Sequence, residues 1–373
     1  EVGPLKNEKE KKSFTIGNSG NEYAPIAGLF ELRQAIANLY NKLFRKGKKS
    51  KYTAKNVAIA SGGRTGLTRV MATLGNINIG HMIPDYTAYE ELLSVFKEIS
   101  PIPLLLDEKE ECTLSASKLE KYIQKLSLSA VLVSNPCNPT GQIVRGKELK
   151  KWIKTAREEK CTLILDEFYS HYIYSTDASE KINIVSTARY VEDVNKDPVI
   201  ILDGLTKNWR RPGWRISWTL APKEIIERIT SAGSFLDGGA PHPLQISTLS
   251  LLNPKEVKVR AENLQKEFRK KRDYMLKRLL AMNMQVPHPS QGSFYFWVKL
   301  DALPKPLRDG MKLFKAGLKE KVITVPGKFF DVNPSKRRKN TTYKNYARIS
   351  FGPKMKTLKM GLDALERLIN KNG

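Results

Sequence analysis

The chain of 373 residues exceeds one typical domain, and its 40% hydrophobic content is enough for a substantial core. Its formal net charge of +26 is spread from Lys6 to Lys371, densest in residues 334–345, and no helix-turn-helix, zinc-finger or RNA-binding signature accompanies it, so nucleic-acid binding is not expected. The three cysteines fit neither a zinc site nor a disulfide framework, and no run reaches the roughly 18–20 apolar residues of a membrane span, so neither a metal centre nor a membrane protein is expected.

Taken in chain order, residues 28–44 have helical spacing and are expected, with the rest of residues 1–45, to join a smaller domain. "NVAIASGG" (56–63) reads as a strand and a glycine turn, and "TGLTRVMATLG" (65–75) as a helix. Short apolar runs follow: "HMIP", "IPLLL" (102–106), "AVLVS" (130–134), "TLILDE" (162–167), "VIILDG" (199–204) and "RISWTL" (215–220). Helical patterns such as 146–160 lie between several of them. That alternation predicts an α/β fold, with a three-layer large domain over 46–252 built on a mostly parallel sheet. After residue 252 the pattern changes. A long amphipathic helix over 255–282, strands at 292–300, 322–327 and 346–352, and helices near 311–320 and at the end predict a smaller α/β domain from 1–45 and 253–373. Cys112, Cys137 and Cys161 suggest a reducing, cytoplasmic setting, and no signal peptide is visible.

Open α/β sheets bind ligands at the carboxyl ends of their strands. The residues following the apolar runs are "GGRTG", "PDYTAY", "NPCNPTG", "DEFY" and "TK". They place Gly63, Arg64, Thr65, Tyr86, Asn138, Asp166, Tyr169, Thr206 and Lys207 along one edge. Lys207 reads as either a surface charge or a nucleophile, and Arg215 follows it eight residues later. Glycines before a helix also suit an anion.

"SNPCNPTGQ", "LDEFYSHY", "LTKNWRRPGWR" and "ARISFG", in this order, resemble the class I/II aminotransferases, which use pyridoxal phosphate on the aspartate aminotransferase fold. "NEYAPIAGLFELRQAIA" (21–37) resembles their N-terminal region, and the similarity spans nearly the whole chain. The resemblance implies that Lys207 binds the cofactor covalently and then moves the proton at the substrate α-carbon. It assigns Asp166 to the pyridine nitrogen, Tyr169 and Asn138 to the ring's phenolic oxygen, and Tyr86 to the ring face, with Tyr89 as a competitor. Gly63, Arg64, Thr65, Thr206 and Arg215 would hold the phosphate, joined by Tyr23 from the partner subunit of a homodimer. Arg348 would clamp the substrate α-carboxylate beside Asn138.

The implied activity is ping-pong transfer of an amino group from an L-amino acid to a 2-oxo acid. Another reaction on the same fold is the alternative: C–S β-elimination, aminocyclopropane-carboxylate synthesis or oxidation. A regulatory sensor on this fold would carry an upstream DNA-binding domain, and none is visible. Three features depart from the family pattern. The arm that covers the substrate is expected before Glu1, Arg210 and Arg211 replace small or apolar residues, and 233–245 is unusually rich in glycine.

Overall fold

The structure is a computed structural model that describes residues 18–174 and 183–373. Among these residues, seven strands form the large sheet: β1 (Val57–Ala60), β2 (Asn78–Ile83), β3 (Ser100–Leu105), β4 (Ala130–Ser134), β5 (Thr162–Asp166), β6 (Val199–Gly204) and β7 (Ser217–Leu220). Their spatial order is β1-β7-β6-β5-β4-β2-β3. β2 to β6 are mutually parallel where they pair, and β7 runs antiparallel to both its neighbours.

Side chains alternate across a strand, and three central strands show where they go. Val131, Val133, Leu163, Leu165, Val199 and Ile201 enter a core on one face, while Ala130, Leu132, Ile164, Ile200 and Leu202 enter a core on the other. A sheet with both faces covered explains why these strands read as unbroken apolar runs. The first face is covered by α1 (Phe30–Phe44), α4 (Ala116–Leu126) and α5 (Gly146–Glu158). The opposite face is covered by α2 (Gly63–Ala72), α3 (Ala88–Val95) and α6 (Lys223–Leu236).

A second sheet, β8 (Tyr295–Lys299), β10 (Tyr346–Ser350) and β9 (Val325–Pro326), is antiparallel with β10 in the middle. α9 (Gly310–Lys319) and α10 (Met355–Asn372) accompany it, and α10 contributes Leu358, Leu362, Leu365 and Leu368 to its core. The short α7 (His242–Leu249) leads into α8 (Pro254–Ala281), 28 residues long. Most buried positions of α8 recur every three or four residues, at Val257, Ala261, Leu264, Phe268, Lys271, Met275 and Leu279, with Gln265 buried beside Leu264. Val257 and Ala261 belong to the large-sheet core, and Leu264, Phe268, Met275 and Leu279 to the second core.

One expectation needs correction. The helix at the chain's start does not join the smaller unit. Leu32, Ile36, Leu39, Tyr40 and Leu43 of α1 pack in the large-sheet core with Val57, Ile59, Trp218 and Leu220. An amphipathic stripe shows that a helix is buried on one side without showing against which sheet. Residues 1–17 lie outside the described residues. Among the described residues no helix is long and apolar enough to cross a membrane.

The glycine-rich stretch 233–245 has a packing explanation. A Cβ on Gly233 would lie 2.5 Å from Cζ of Arg69, whose side chain is fully buried. Arg69 donates through Nε to Asp237 at 2.8 Å and through Nη1 to the carbonyls of Ile59 (3.0 Å) and Ile26 (3.3 Å). Gly238 and Gly239 then adopt φ of 70° and 106°, which turns the chain toward α7. Removing one partner of a buried pair leaves an uncompensated charge. Asp237→Ala should therefore lower unfolding stability by about 3 kcal/mol, the low end for such a loss because Asp237 keeps some solvent contact. Urea denaturation at neutral pH measures it.

Candidate active site

Asp166 is the last residue of β5, in register with Ser134 on β4 and Leu202 on β6. It continues the face of Ile164, so its carboxyl points toward α2 and α3. There Tyr89 Oη donates to its Oδ2 at 3.0 Å, and the Phe168 amide donates to Oδ1 at 3.3 Å. Burial pushes Asp166 up to about 6, and these two donors and the charge of Lys207 act against that rise. Tyr89 is thus a buried partner of Asp166, whereas Tyr86, three residues earlier, lines the open cavity. The two rings meet edge to face at 5.5 Å.

Lys207 follows β6 by three residues. Its carbonyl accepts hydrogen bonds from Tyr172 Oη and the Arg210 amide, both at 3.0 Å. The next residue is pinned as well: the Asn208 amide nitrogen donates to Ser170 Oγ (2.9 Å) and to Asp203 Oδ1 (2.8 Å), and its oxygen accepts from the His171 amide at 3.1 Å. Burial, followed by the charges of Arg348 and Arg215, lowers the Lys207 ammonium below its ordinary range, with Asp166 opposing. A lysine held this way gives up its proton more readily than a solvated one.

The "GGRTG" turn forms a cradle. Gly62 has φ 88°, and a Cβ there would lie 1.9 Å from Nη2 of Arg215. A Cβ on Gly63 would lie 2.6 Å from the Phe168 ring. Two adjacent glycines therefore let the Arg215 guanidinium and an aromatic edge close over the start of α2. Gly62 offers no side-chain cap, and the first amides of α2, from Gly63 to Thr65, point out of the helix as anion donors. The Thr65 hydroxyl is turned back to the Ser61 carbonyl at 3.2 Å, which leaves its backbone as the group available there. Thr206 Oγ1 is buried without a hydrogen-bond partner.

Arg348 sits on the central strand β10, opposite Trp297 on β8 and Val325 on β9. Its guanidinium lies 3.9 Å from the Tyr295 ring centroid and 4.8 Å from that of Phe330. Nη1 donates to Asn138 Oδ1 at 2.6 Å, and Nε is buried without a partner. The Tyr169 and Tyr295 hydroxyls are 3.0 Å apart.

These groups border one cavity of about 580 Å³. Gly63, Arg64, Tyr86, Asn138, Asp166, Tyr169, Thr206, Lys207, Arg215 and Arg348 all line it. Thr65 and Tyr23 do not, and Tyr23 is 96% exposed. Arg210 and Arg211 are also outside the lining; Arg211 covers the Trp214 ring at 4.6 Å. Sequence reading missed Ser134, Phe168 and Tyr295 in the wall and Gly62 in the cradle. The aromatic run "FYFW" signalled Tyr295 only as a strand residue. Among the described residues no group of three His, Cys, Asp or Glu side chains could hold a metal ion. One anion pocket, one buried carboxyl, one depressed lysine and one free guanidinium edge suit a ligand with a phosphate, a basic ring nitrogen, an electrophilic carbon and a nearby carboxylate.

Behind the wall lies a second fully buried carboxyl, Asp85, which burial pushes up to about 8. From the ordinary carboxylate range up to that value, the unfolded chain releases this proton while the folded chain keeps it. The group's contribution to stability therefore falls as pH rises toward 8. Asp85→Asn lacks that dependence. The difference in Tm, variant minus wild type, should grow from pH 5 to pH 8, as read by thermal denaturation across that range.

A family model described as "Aminotransferase class I and II" matches residues 4–365. The aspartate aminotransferase of Sulfurisphaera tokodaii is 26% identical over 371 residues, covering 97% of this chain and 86% of that protein. A probable N-acetyl-LL-diaminopimelate aminotransferase of Bacillus subtilis is 26% identical over 370 residues, covering 95% and 84%. The solved structure of an aromatic aminotransferase from Pyrococcus horikoshii OT3 has the same fold, with a TM-score of 0.80 at 23% identity over 95% of this chain and 89% of that one. Because the family model runs over nearly the whole sequence and the fold is that of solved aminotransferases, the chain belongs to the class I and II aminotransferases, which depend on pyridoxal phosphate.

Proposed function

We propose that the protein transfers an amino group from an L-amino acid to a 2-oxo acid in a ping-pong cycle, working as a cytoplasmic homodimer. The observation that carries this reading is the meeting of Lys207, Asp166, Arg215 and Arg348 on one cavity, with Thr206 Oγ1 and Arg348 Nε both left as unpartnered buried donors. The names of the relatives favour transamination over elimination, cyclisation or oxidation on the same fold. Three buried, unpaired cysteines fit a reducing compartment.

The residues fit pyridoxal phosphate. Arg215, Thr206 and the first amides of α2 would hold its phosphate, Asp166 its ring nitrogen, and Tyr169 with the Asn138 amide its phenolic oxygen. Tyr86 would lie against the ring face. Bound there, the cofactor supplies a carbon that accepts the amino group and a ring that withdraws electrons from the substrate α-carbon. Lys207 Nζ carries the proton to and from that carbon, and its lowered proton affinity makes the neutral amine accessible. Asp166 holds positive charge at the ring nitrogen. Arg348 and Asn138 orient the α-carboxylate, a task suited to a planar fork. Tyr23, exposed on its own subunit, would reach the partner's phosphate pocket, so each site needs both chains.

With added pyridoxal phosphate, wild type should show a visible absorbance band, and borohydride should fix the label on Lys207. Lys207→Ala should keep cofactor binding and lose transamination; full turnover in that variant would overturn the assignment. Gly62→Ala should weaken cofactor retention about tenfold or more, because a side chain there strains the backbone and displaces Arg215. Equilibrium dialysis reads this directly.

Arg348→Ala should cost about 2–5 kcal/mol in kcat/KM, by similar factors for chemically different donors, with the cofactor spectrum unchanged. Arg348→Lys should restore only part of the loss. A loss confined to acidic donors would place the α-carboxylate elsewhere.

A further inference from the structure

Asp85 lies between β2 and α3, one residue before Tyr86, and its side chain is fully buried. Oδ1 accepts the Tyr86 amide at 2.7 Å and also the Ser134 hydroxyl, while Oδ2 accepts the Ser134 amide at 3.4 Å. The Ser134 oxygen in turn accepts the Asn138 amide at 3.1 Å. Asn138 then holds Arg348 Nη1 at 2.6 Å. The main chain makes a second link: the Asp85 amide donates to the Phe330 carbonyl at 3.1 Å, and the Phe330 ring underlies the Arg348 guanidinium. One carboxyl thus joins the loop that carries Tyr86, the "NPCNPTG" loop that carries Asn138, and the segment beneath Arg348.

We propose that Asp85 is a positioning residue for transamination, its carboxyl oxygen fixing Tyr86 relative to Asn138 and, through Asn138, the Arg348 fork. The proposal rests on the functional reading above. Asp85 does not line the cavity and touches no substrate. Its action is geometric: the acceptor Oδ1 is shared by the Tyr86 amide, in the loop after β2, and the Ser134 hydroxyl, at the end of β4, so their spacing is set by a single atom. A loop freed at that atom would let Asn138 and Arg348 drift, and misplacement of about 1 Å at a reacting site costs roughly a hundredfold in rate. Burial raises the proton affinity of Asp85 while the Ser134 and Tyr86 donors oppose the rise, and the positioning work rests on the acceptor oxygen Oδ1 rather than on the charge. A carboxamide supplies the same oxygen.

The test compares Asp85→Ala, Asp85→Asn and Ser134→Ala with wild type, each loaded with pyridoxal phosphate. Hydrogen exchange and steady-state kinetics are both measured. Asp85→Ala should speed exchange about tenfold at the amides of Tyr86 and Asn138, the scale of one lost hydrogen bond, and leave β5 and β6 unchanged. Its kcat/KM should fall about tenfold to a hundredfold for unrelated amino donors alike. Asp85→Asn should restore both readings to within about threefold of wild type. Ser134→Ala should speed exchange at Asn138 and not at Tyr86, because the hydroxyl relays to one loop only. Exchange rising equally through both sheets, unchanged exchange at the two amides, or an Asn variant as impaired as Ala would each overturn the proposal. If Asp85→Ala does not fold, the Asn and Ser134→Ala variants decide. Absence of wild-type transamination would count against the functional reading, while the exchange pattern would still judge the role of Asp85.

Discussion

A carboxyl at the end of a buried strand is costly to ionise, and the site is arranged around that cost at Asp166. Burial alone raises its proton affinity, and three things oppose the rise: the Tyr89 hydroxyl, the Phe168 amide and the positive charge of Lys207. Lys207 feels the converse pressure. Its charged form is disfavoured by burial and by Arg348 and Arg215, and favoured by Asp166. Each group is therefore poised by the other. The backbone pins on Lys207 and Asn208 and the cross-strand register of Asp166 fix the distance over which this coupling acts.

The parts of the site visible in the sequence were those that break a local pattern. Asp166 and Lys207 stood out because polar groups end apolar runs, and Arg215 because of its spacing from Lys207 in a motif with family resemblance. The parts that stayed hidden obey their local pattern. Tyr295 is an ordinary strand aromatic until the second sheet brings it over Arg348. Asp85 is an unremarkable loop acid until β4 brings Ser134 against it. Gly62 carries no sign of its own beside Gly63; its task appears only in the path of Arg215, as that of Gly63 does in the Phe168 ring.

The fold shows the same division. Unbroken apolar runs announced a sheet covered on both faces, and the alternation of core membership along β4, β5 and β6 is that coverage in detail. The stripe on α1 announced burial and left the partner open, because partner choice depends on contacts far apart in the chain. The glycines of 233–245 had no local meaning. Gly233 makes room for Arg69, a cation whose partners Asp237, Ile26 and Ile59 come from three separate segments.

The length of α8 has a mechanical consequence. At about 1.5 Å per residue, its 28 residues form a rod of roughly 42 Å whose first turns are seated in one core and whose remainder is seated in the other. A helix resists interruption, since restarting it requires a new nucleus. Strain entering at the second sheet is therefore delivered along the rod into the large-sheet core rather than absorbed in a flexible joint. The two cores should melt as one cooperative unit, and a protease would find no easy cut between them along α8.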